Sequence, residues 1–303
     1  MSEPRQPPDQ RGELARLATA ATTEGLFAEA RYASEFEARE AIVAMMRSLA
    51  PSGLNQGKSG NASLRWHRGG EPGMLVTPSG LPYDQLGAED LAWVPLDQGR
   101  GDRWAGRMAD PPRSRASARP SDSGPSDSRP SDSGSPPGGL EPPARFDGPY
   151  APSSEWQIHL DLHKSRPDAR AVLHLHSPYA TTLACLARVQ RDGIPAFHYM
   201  IAVAGGADLR CAAYATFGTA ELSALTIAAL EERRACLMAH HGMIVLAAGL
   251  REAVDLAIEV ESLCRIYWQA LAVGEPPRLS GEEMERVLSR FASYGRARLG
   301  RST

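Results

Sequence analysis

Long apolar runs are missing from this 303-residue chain, and no stretch approaches the ~18 consecutive apolar residues of a membrane-spanning helix. Membrane attachment is therefore not expected. An excess of basic charge is missing too: 33 Lys and Arg against 36 Asp and Glu give a net charge of −3, which offers no basic face to a nucleic acid. Any phosphate the protein binds must then be held by local donors. Cysteine is scarce, and Cys185, Cys211, Cys236 and Cys264 show no Cys-x-x-Cys spacing and lie in apolar surroundings. That pattern suits buried thiols in a reducing compartment better than a disulfide framework. The N-terminus lacks the basic and uninterrupted apolar regions of a secretory signal, because Glu13 and Glu24 interrupt its one Ala/Leu-rich stretch. The expected location is the cytoplasm.

What is present divides the chain into parts. With 42% hydrophobic and 23% charged residues it can bury one substantial core. Residues 1–34 read as an extension, disordered at least to about Arg11, and 297–303 as a tail. Residues 99–146 are rich in Gly, Pro, Ser, Asp and Arg and repeat Arg-Pro-Ser-Asp-Ser-Gly at 119–124 and 129–134. Such a segment has almost nothing to bury and reads as a disordered insert. Residues 35–98 and 147–296 together form the domain.

Within the domain, the spacing of Phe36, Ile42, Val43, Met46 and Leu49 predicts a core helix ended by Pro51. Strands are predicted at 63–66, 74–77, 171–175, 235–239 and 243–247, and helices at 156–164, 179–188, 219–232 and 251–272. Ser280-Gly-Glu-Glu283 reads as a capping box opening a last helix to about Phe291. Strands alternating with helices predict an α/β fold layered on a central sheet.

Three fragments carry chemistry: Pro152-Ser153-Ser154-Glu155, His174-Leu175-His176 and His240-His241-Gly242. On a strand, His174 and His176 project from one side and can chelate one cation. His240 and His241 are adjacent, so on a strand only one of them can join as third ligand. Three protein ligands with an exchangeable position describe a catalytic zinc site. Glu155 would add a carboxylate to move protons beside it, after a Ser-Ser pair able to cap a helix. His159 and His163, at i and i+4, have metal-like spacing but no evident third ligand, and read as packed on the sheet or exposed.

The words PSSEW, SRPDA, VLHLH, IPAFHYMIA, AGG, YATFGT, ELS and HHG between Pro152 and Ile244, with Gly60-Asn61-Ala62-Ser63 and Thr77–Tyr83 before them, resemble the class II aldolase/adducin family, and within it the branch acting on L-fuculose phosphate. The resemblance implies a three-layer α/β/α fold with a central, largely antiparallel sheet, and a homotetramer with active sites between subunits. It implies one Zn2+ per chain on His174, His176 and His241, with Glu155 a further ligand when substrate is absent. It implies a substrate phosphate held by Asn61, Ser79, Gly80, Ser153 and Ser154, where amides and hydroxyls at a helix start and at tight glycine loops suit a dianion. Glu155 and Tyr199 are the implied catalytic residues, Tyr199 reaching across a subunit boundary, with Phe217 and Tyr294 on the aldehyde side. The implied reaction is reversible aldol cleavage of L-fuculose 1-phosphate or a related deoxyketose 1-phosphate to dihydroxyacetone phosphate and a small aldehyde. A ribulose-phosphate 4-epimerase-like activity is the alternative chemistry, and an adducin-head-like binding module the alternative of another class. The intact His174/His176/His241 and Glu155 set argues against the second.

Overall fold

Helix α1 (Glu35–Leu49) begins where the Ser34 side chain accepts a hydrogen bond from the Glu37 amide at 3.2 Å. It buries Ala38, Ile42, Met45, Met46 and Leu49, whereas Phe36 is 60% exposed. Phe36 lies two residues before Ala38, about 200° around a 3.6-residue helix, which turns it away from that stripe. The computed structural model describes residues 32–55, 58–98 and 142–294; nearly all of the extension, the insert up to 141 and the tail lie outside the described residues.

The strands are β1 (Asn61–Arg68), β2 (Glu71–Val76), β3 (Ala92–Pro95), β4 (Ala171–Leu175), β5 (Ile194–Pro195), β6 (Asp208–Leu209), β7 (Cys211–Ala212), β8 (Ala235–Met238) and β9 (Gly242–Ala247). Seven of them form one sheet in the order β3-β2-β1-β4-β9-β8-β7, while β5 pairs with β6. Every pairing in the large sheet is antiparallel except β7 with β8. The further helices are α2 (Trp156–Ser165), α3 (Pro178–Ala184), α4 (Ala187–Asp192), α5 (Ala220–Ala229), α6 (Leu250–Val273) and α7 (Gly281–Tyr294). The Glu283 amide donates to the Ser280 hydroxyl at 3.1 Å at the start of α7, where the sequence predicts a cap.

Strand alternation sorts the layers. Ala171, Leu173 and Leu175 of β4 join a core with α1, α3 and α6, while Val172 joins Ile158 and Leu162 of α2 and Leu222 of α5 on the opposite face. The fold is thus α/β/α, as expected. One predicted helix, 179–188, is instead two, with extended backbone at Leu186 (φ −87°, ψ 124°). No helix breaker marks the break. The Ala184 carbonyl accepts from the His240 amide at 3.1 Å and from Gln190 Nε2 at 2.8 Å, so donors from elsewhere satisfy the end of α3.

Cys236 and Cys264 are buried as expected, but Cys185, at the end of α3, is exposed and Cys211 half-buried; all four are free. No helix among the described residues is long and apolar enough to cross a membrane. Where the insert departs, Gln98 and Arg145 are joined by Arg145 N donating to Gln98 Oε1 at 3.1 Å and Gln98 Nε2 donating to the Arg145 carbonyl at 3.3 Å. Just inside, Trp93 and Asp147 exchange backbone hydrogen bonds of 2.8 and 2.9 Å.

Candidate active site

Register builds the centre of the site. In β4, His174 lies opposite Asn61 of β1 and Ile244 of β9, on the face that α2 covers. Two glycines let the backbones close around it. Gly60 has φ +86°, and an added Cβ would lie 2.6 Å from the His174 carbonyl oxygen; one on Gly242 would lie 2.3 Å from that of Leu175. His176 follows the strand end, where its amide donates to Asn55 Oδ1 at 3.0 Å. His240 and His241 are not on a strand: they form the turn between β8 and β9, with His240 at φ 55°. His240 leans away, within 2.9 Å of Gln190 Nε2, and His241 joins the pair.

His174, His176 and His241 present nitrogens that all lie within 4.8 Å of one another, their rings 4.8 to 4.9 Å apart and steeply inclined. His174 Nδ1 is 2.9 Å from the Met243 carbonyl, which can only accept, so this nitrogen carries the proton and Nε2 keeps its lone pair toward the centre. Glu155 faces the cluster, Oε2 3.2 Å from His174 Nε2 and Oε1 3.2 Å from His241 Nε2. Oε1 is buried and makes no hydrogen bond. An orphaned carboxylate oxygen beside three converging imidazoles is a donor set that suits a divalent cation.

Burial, reinforced by the neighbouring imidazoles, pushes His176 and His241 down to about 4, so both rings are neutral at pH 7, the form able to ligate a cation. For Glu155, burial favours the acid form, but His174, His241 and the Asn61 hydrogen bond outweigh it and hold the group below the usual carboxylate range.

Two loops form the other end of the cleft. Ser153 N donates to the Thr77 carbonyl at 2.9 Å and Ser154 N to Ser79 Oγ at 2.8 Å, which clasps the Ser79-Gly80 turn to the entry of α2. Glu155 stands at the start of α2 without a side-chain capping bond, and just before it the Ser153 hydroxyl accepts from the Glu155 amide at 3.3 Å. Ser79, Gly80, Ser153, Ser154, Asn61 and Lys58 line a cleft of about 350 Å³; Glu155, His176 and His241 line it too, as do Tyr214, Ala215, Phe217 and His240.

Of the remaining expected residues, Phe217 is at this cleft, 52% exposed. Tyr199 is not: it begins a 3-10 turn, Tyr199–Ala204, half-exposed, and lines a separate cavity of about 810 Å³ against α7. Tyr294 ends α7, and its side chain lies outside the described residues. His159 and His163 are packed on the sheet, one of the two placements expected, and both are buried against Ser63. Sequence reasoning passed over Lys58, and also Asn55, which holds the His176 amide and donates to Tyr83 Oη at 2.9 Å. The available signal for the histidines was that Glu155, His159 and His163 recur every fourth residue.

The model of the class II aldolase and adducin N-terminal domain matches residues 40–268. A 5-methylthioribulose-1-phosphate/5-deoxyribulose-1-phosphate aldolase of Rhodospirillum rubrum is 41% identical over 262 residues, covering 86% of this chain and 94% of that protein. The L-fuculose phosphate aldolase of Escherichia coli K12 is 38% identical over 244 residues, 80% of this chain and 88% of that one. Among solved structures, an L-fuculose 1-phosphate aldolase superposes with a TM-score of 0.63 at 32% identity, covering 84% of this chain and 95% of that chain.

Proposed function

The chain belongs to the class II aldolase and adducin family, and from that premise we propose that its cleft performs reversible aldol cleavage of a deoxyketose 1-phosphate, releasing dihydroxyacetone phosphate and a small aldehyde. The observation that carries this reading is the polarity of one cleft: His176, His241 and Glu155, which cluster with the buried His174, line it together with a cradle of small hydroxyl and glycine residues. The substrates in the relatives' names, an L-fuculose phosphate and 5-deoxy- or 5-methylthio-ribulose phosphates, share a phosphate and an apolar tail. Tyr214 and Phe217 at the cleft suit the tail.

In this reading His174, His176 and His241 hold one divalent cation, zinc by its preference for imidazole, with Glu155 as a further ligand before substrate arrives. When bound, the cation supplies Lewis-acid stabilisation of the charge that develops as the C3–C4 bond breaks. Asn61, Ser79, Gly80, Ser153 and Ser154 hold the phosphate, with Lys58 adding a cation at the same cleft, and this anchoring orients the reacting carbons. Glu155 delivers the proton to C3 after cleavage and removes it in condensation. Tyr199 takes the C4 hydroxyl proton in cleavage. It lies outside the cleft of its own chain, and in this reading it serves that of a neighbouring subunit in a homotetramer with shared sites; Tyr294 and Phe217 wall the aldehyde side. The protein works in the cytoplasm.

The test is release of dihydroxyacetone phosphate from a panel of ketose 1-phosphates, with L-fuculose, 5-deoxyribulose and 5-methylthioribulose 1-phosphates compared directly. Turnover of none of them sinks the reading. Elemental analysis should find about one zinc per chain and little in His176→Ala; a full complement in that variant removes the proposed ligand set.

A further inference from the structure

Behind Asn61 and Glu155 runs a buried chain of hydrogen bonds through Ser63, His159 and His163, three residues to which the proposed reaction gives no part. His163 Nε2 is 2.8 Å from Ser63 Oγ, and Ser63 Oγ is 2.7 Å from His159 Nδ1. His159 Nε2 meets Asn61 Oδ1, and Asn61 Nδ2 donates to Glu155 Oε2 at 2.9 Å. All five side chains are buried, and the two histidines are each 1% exposed.

Donor and acceptor bookkeeping gives this chain one direction. A carboxylate can only accept, so the Asn61 group facing Glu155 is its NH2 and the group facing His159 is its carbonyl oxygen. That oxygen requires a proton on His159 Nε2. His159 Nδ1 is then the lone-pair nitrogen and takes the Ser63 hydroxyl proton, and Ser63 Oγ accepts from His163 Nε2. Four donors in series all point toward Glu155. Reversing the Asn61 amide would set its carbonyl against the carboxylate and its NH2 against a protonated ring nitrogen, two unfavourable contacts between buried groups.

We propose that His159 is a positioning residue: with its tautomer set by Ser63, it locks the Asn61 amide so that the NH2 group aims and holds the Glu155 carboxylate. Burial, aided by the nearby His174, pushes His159 down to about 3, so the ring is neutral and one of its two nitrogens is free to accept, as the chain requires. The proposal rests on the reading of Glu155 as the residue that moves the C3 proton.

The test uses the full-length protein as purified and reads solvent deuterium incorporation into dihydroxyacetone phosphate, beside KM, metal content and melting temperature. His159→Phe keeps a packed ring and removes the donor, and should slow exchange by about 10–100-fold with metal content unchanged and KM raised far less than the rate falls. His159→Gln returns an N–H near the position of Nε2 and should recover most of the rate. Ser63→Ala removes only the hydroxyl that sets the tautomer, should slow exchange several-fold, and decides the matter if the phenylalanine variant does not fold. A folded His159→Phe or Ser63→Ala at the wild-type rate overturns the proposal, as does a His159→Gln no faster than His159→Phe, or loss of metal from either folded His159 variant. Glu155→Gln separates the two readings. If it exchanges at the wild-type rate, the role of Glu155 is wrong and the proposal falls with it. If it is slow and adding His159→Phe slows it no further, the two residues act as one unit.

Discussion

The two faces of the sheet at β1 and β4 are made from the same two strands and have opposite contents. Toward α1 and α6 the strands present Ala62, Leu64, Ala171, Leu173 and Leu175, an uninterrupted apolar layer. Toward α2 they present Asn61, Ser63 and His174 beside a single valine, Val172, and the covering helix and its entry add Glu155, His159 and His163, all buried. One face excludes water to stabilise the fold; the other excludes water around groups that must then find every partner inside the protein. Stability and chemistry are thus separated by the thickness of a strand, in residues that alternate along it.

The largest expected effect that tests this separation is on the polar face. Glu155→Gln keeps the shape and removes the charge, and should cut sugar-phosphate cleavage by about 10²–10⁴-fold while the protein stays folded and keeps its metal. A variant that loses its fold instead would mean the polar face is structural. One residue away from His174 the apolar face should respond in the opposite currency: Leu173→Ala should cost about 2–5 kcal/mol in denaturant unfolding and leave kcat of the folded fraction close to wild type. Equal losses of activity in the two variants would erase the distinction.

Acid should find the polar face first. His176 and His241 are held at about 4, and His159 and His163 at about 3, all below the ordinary histidine value of 6.5. Depressed values mean that the unfolded chain binds these protons more readily, so the stability they contribute is complete above about 6.5 and declines as pH falls toward 4. The melting temperature of chelator-treated protein should therefore fall steadily over that window. A flat profile would show that the rings are not buried neutral groups.

The sequence was most legible where one element carried the whole signal. His174 and His176 needed only the period of a strand, and the α1 stripe needed only that of a helix. His241 over His240 needed the β8–β9 turn, which spacing alone leaves open and the family resemblance supplied. The Ser63–His159 contact joins residues 96 apart, and Asn55 reaches His176 across 121 positions, so no local pattern announces either. The split between α3 and α4 carries no breaker residue, and one of the donors that satisfies the Ala184 carbonyl there, the His240 amide, comes from 56 positions away. Tyr199 was legible only through resemblance, and a single chain leaves it outside the cleft.

The smallest effect is expected from the segment whose composition offers least to bury. Deleting 101–143 and rejoining the ends should leave turnover and melting temperature nearly unchanged, because loop length enters closure entropy only logarithmically. A collapse in solubility or rate would give the insert a structural part that its composition does not suggest.

The clasp of Gln98 to Arg145, backed by the Trp93–Asp147 bridge, makes the departure and return of the chain a fixed doorway with its posts already tied together. Whatever is threaded through it inherits two ends held side by side at the margin of β3. A fluorescent protein or an affinity tag whose termini lie close together could be spliced there, turning the enzyme into a labelled or immobilised reagent without touching either end of the polypeptide.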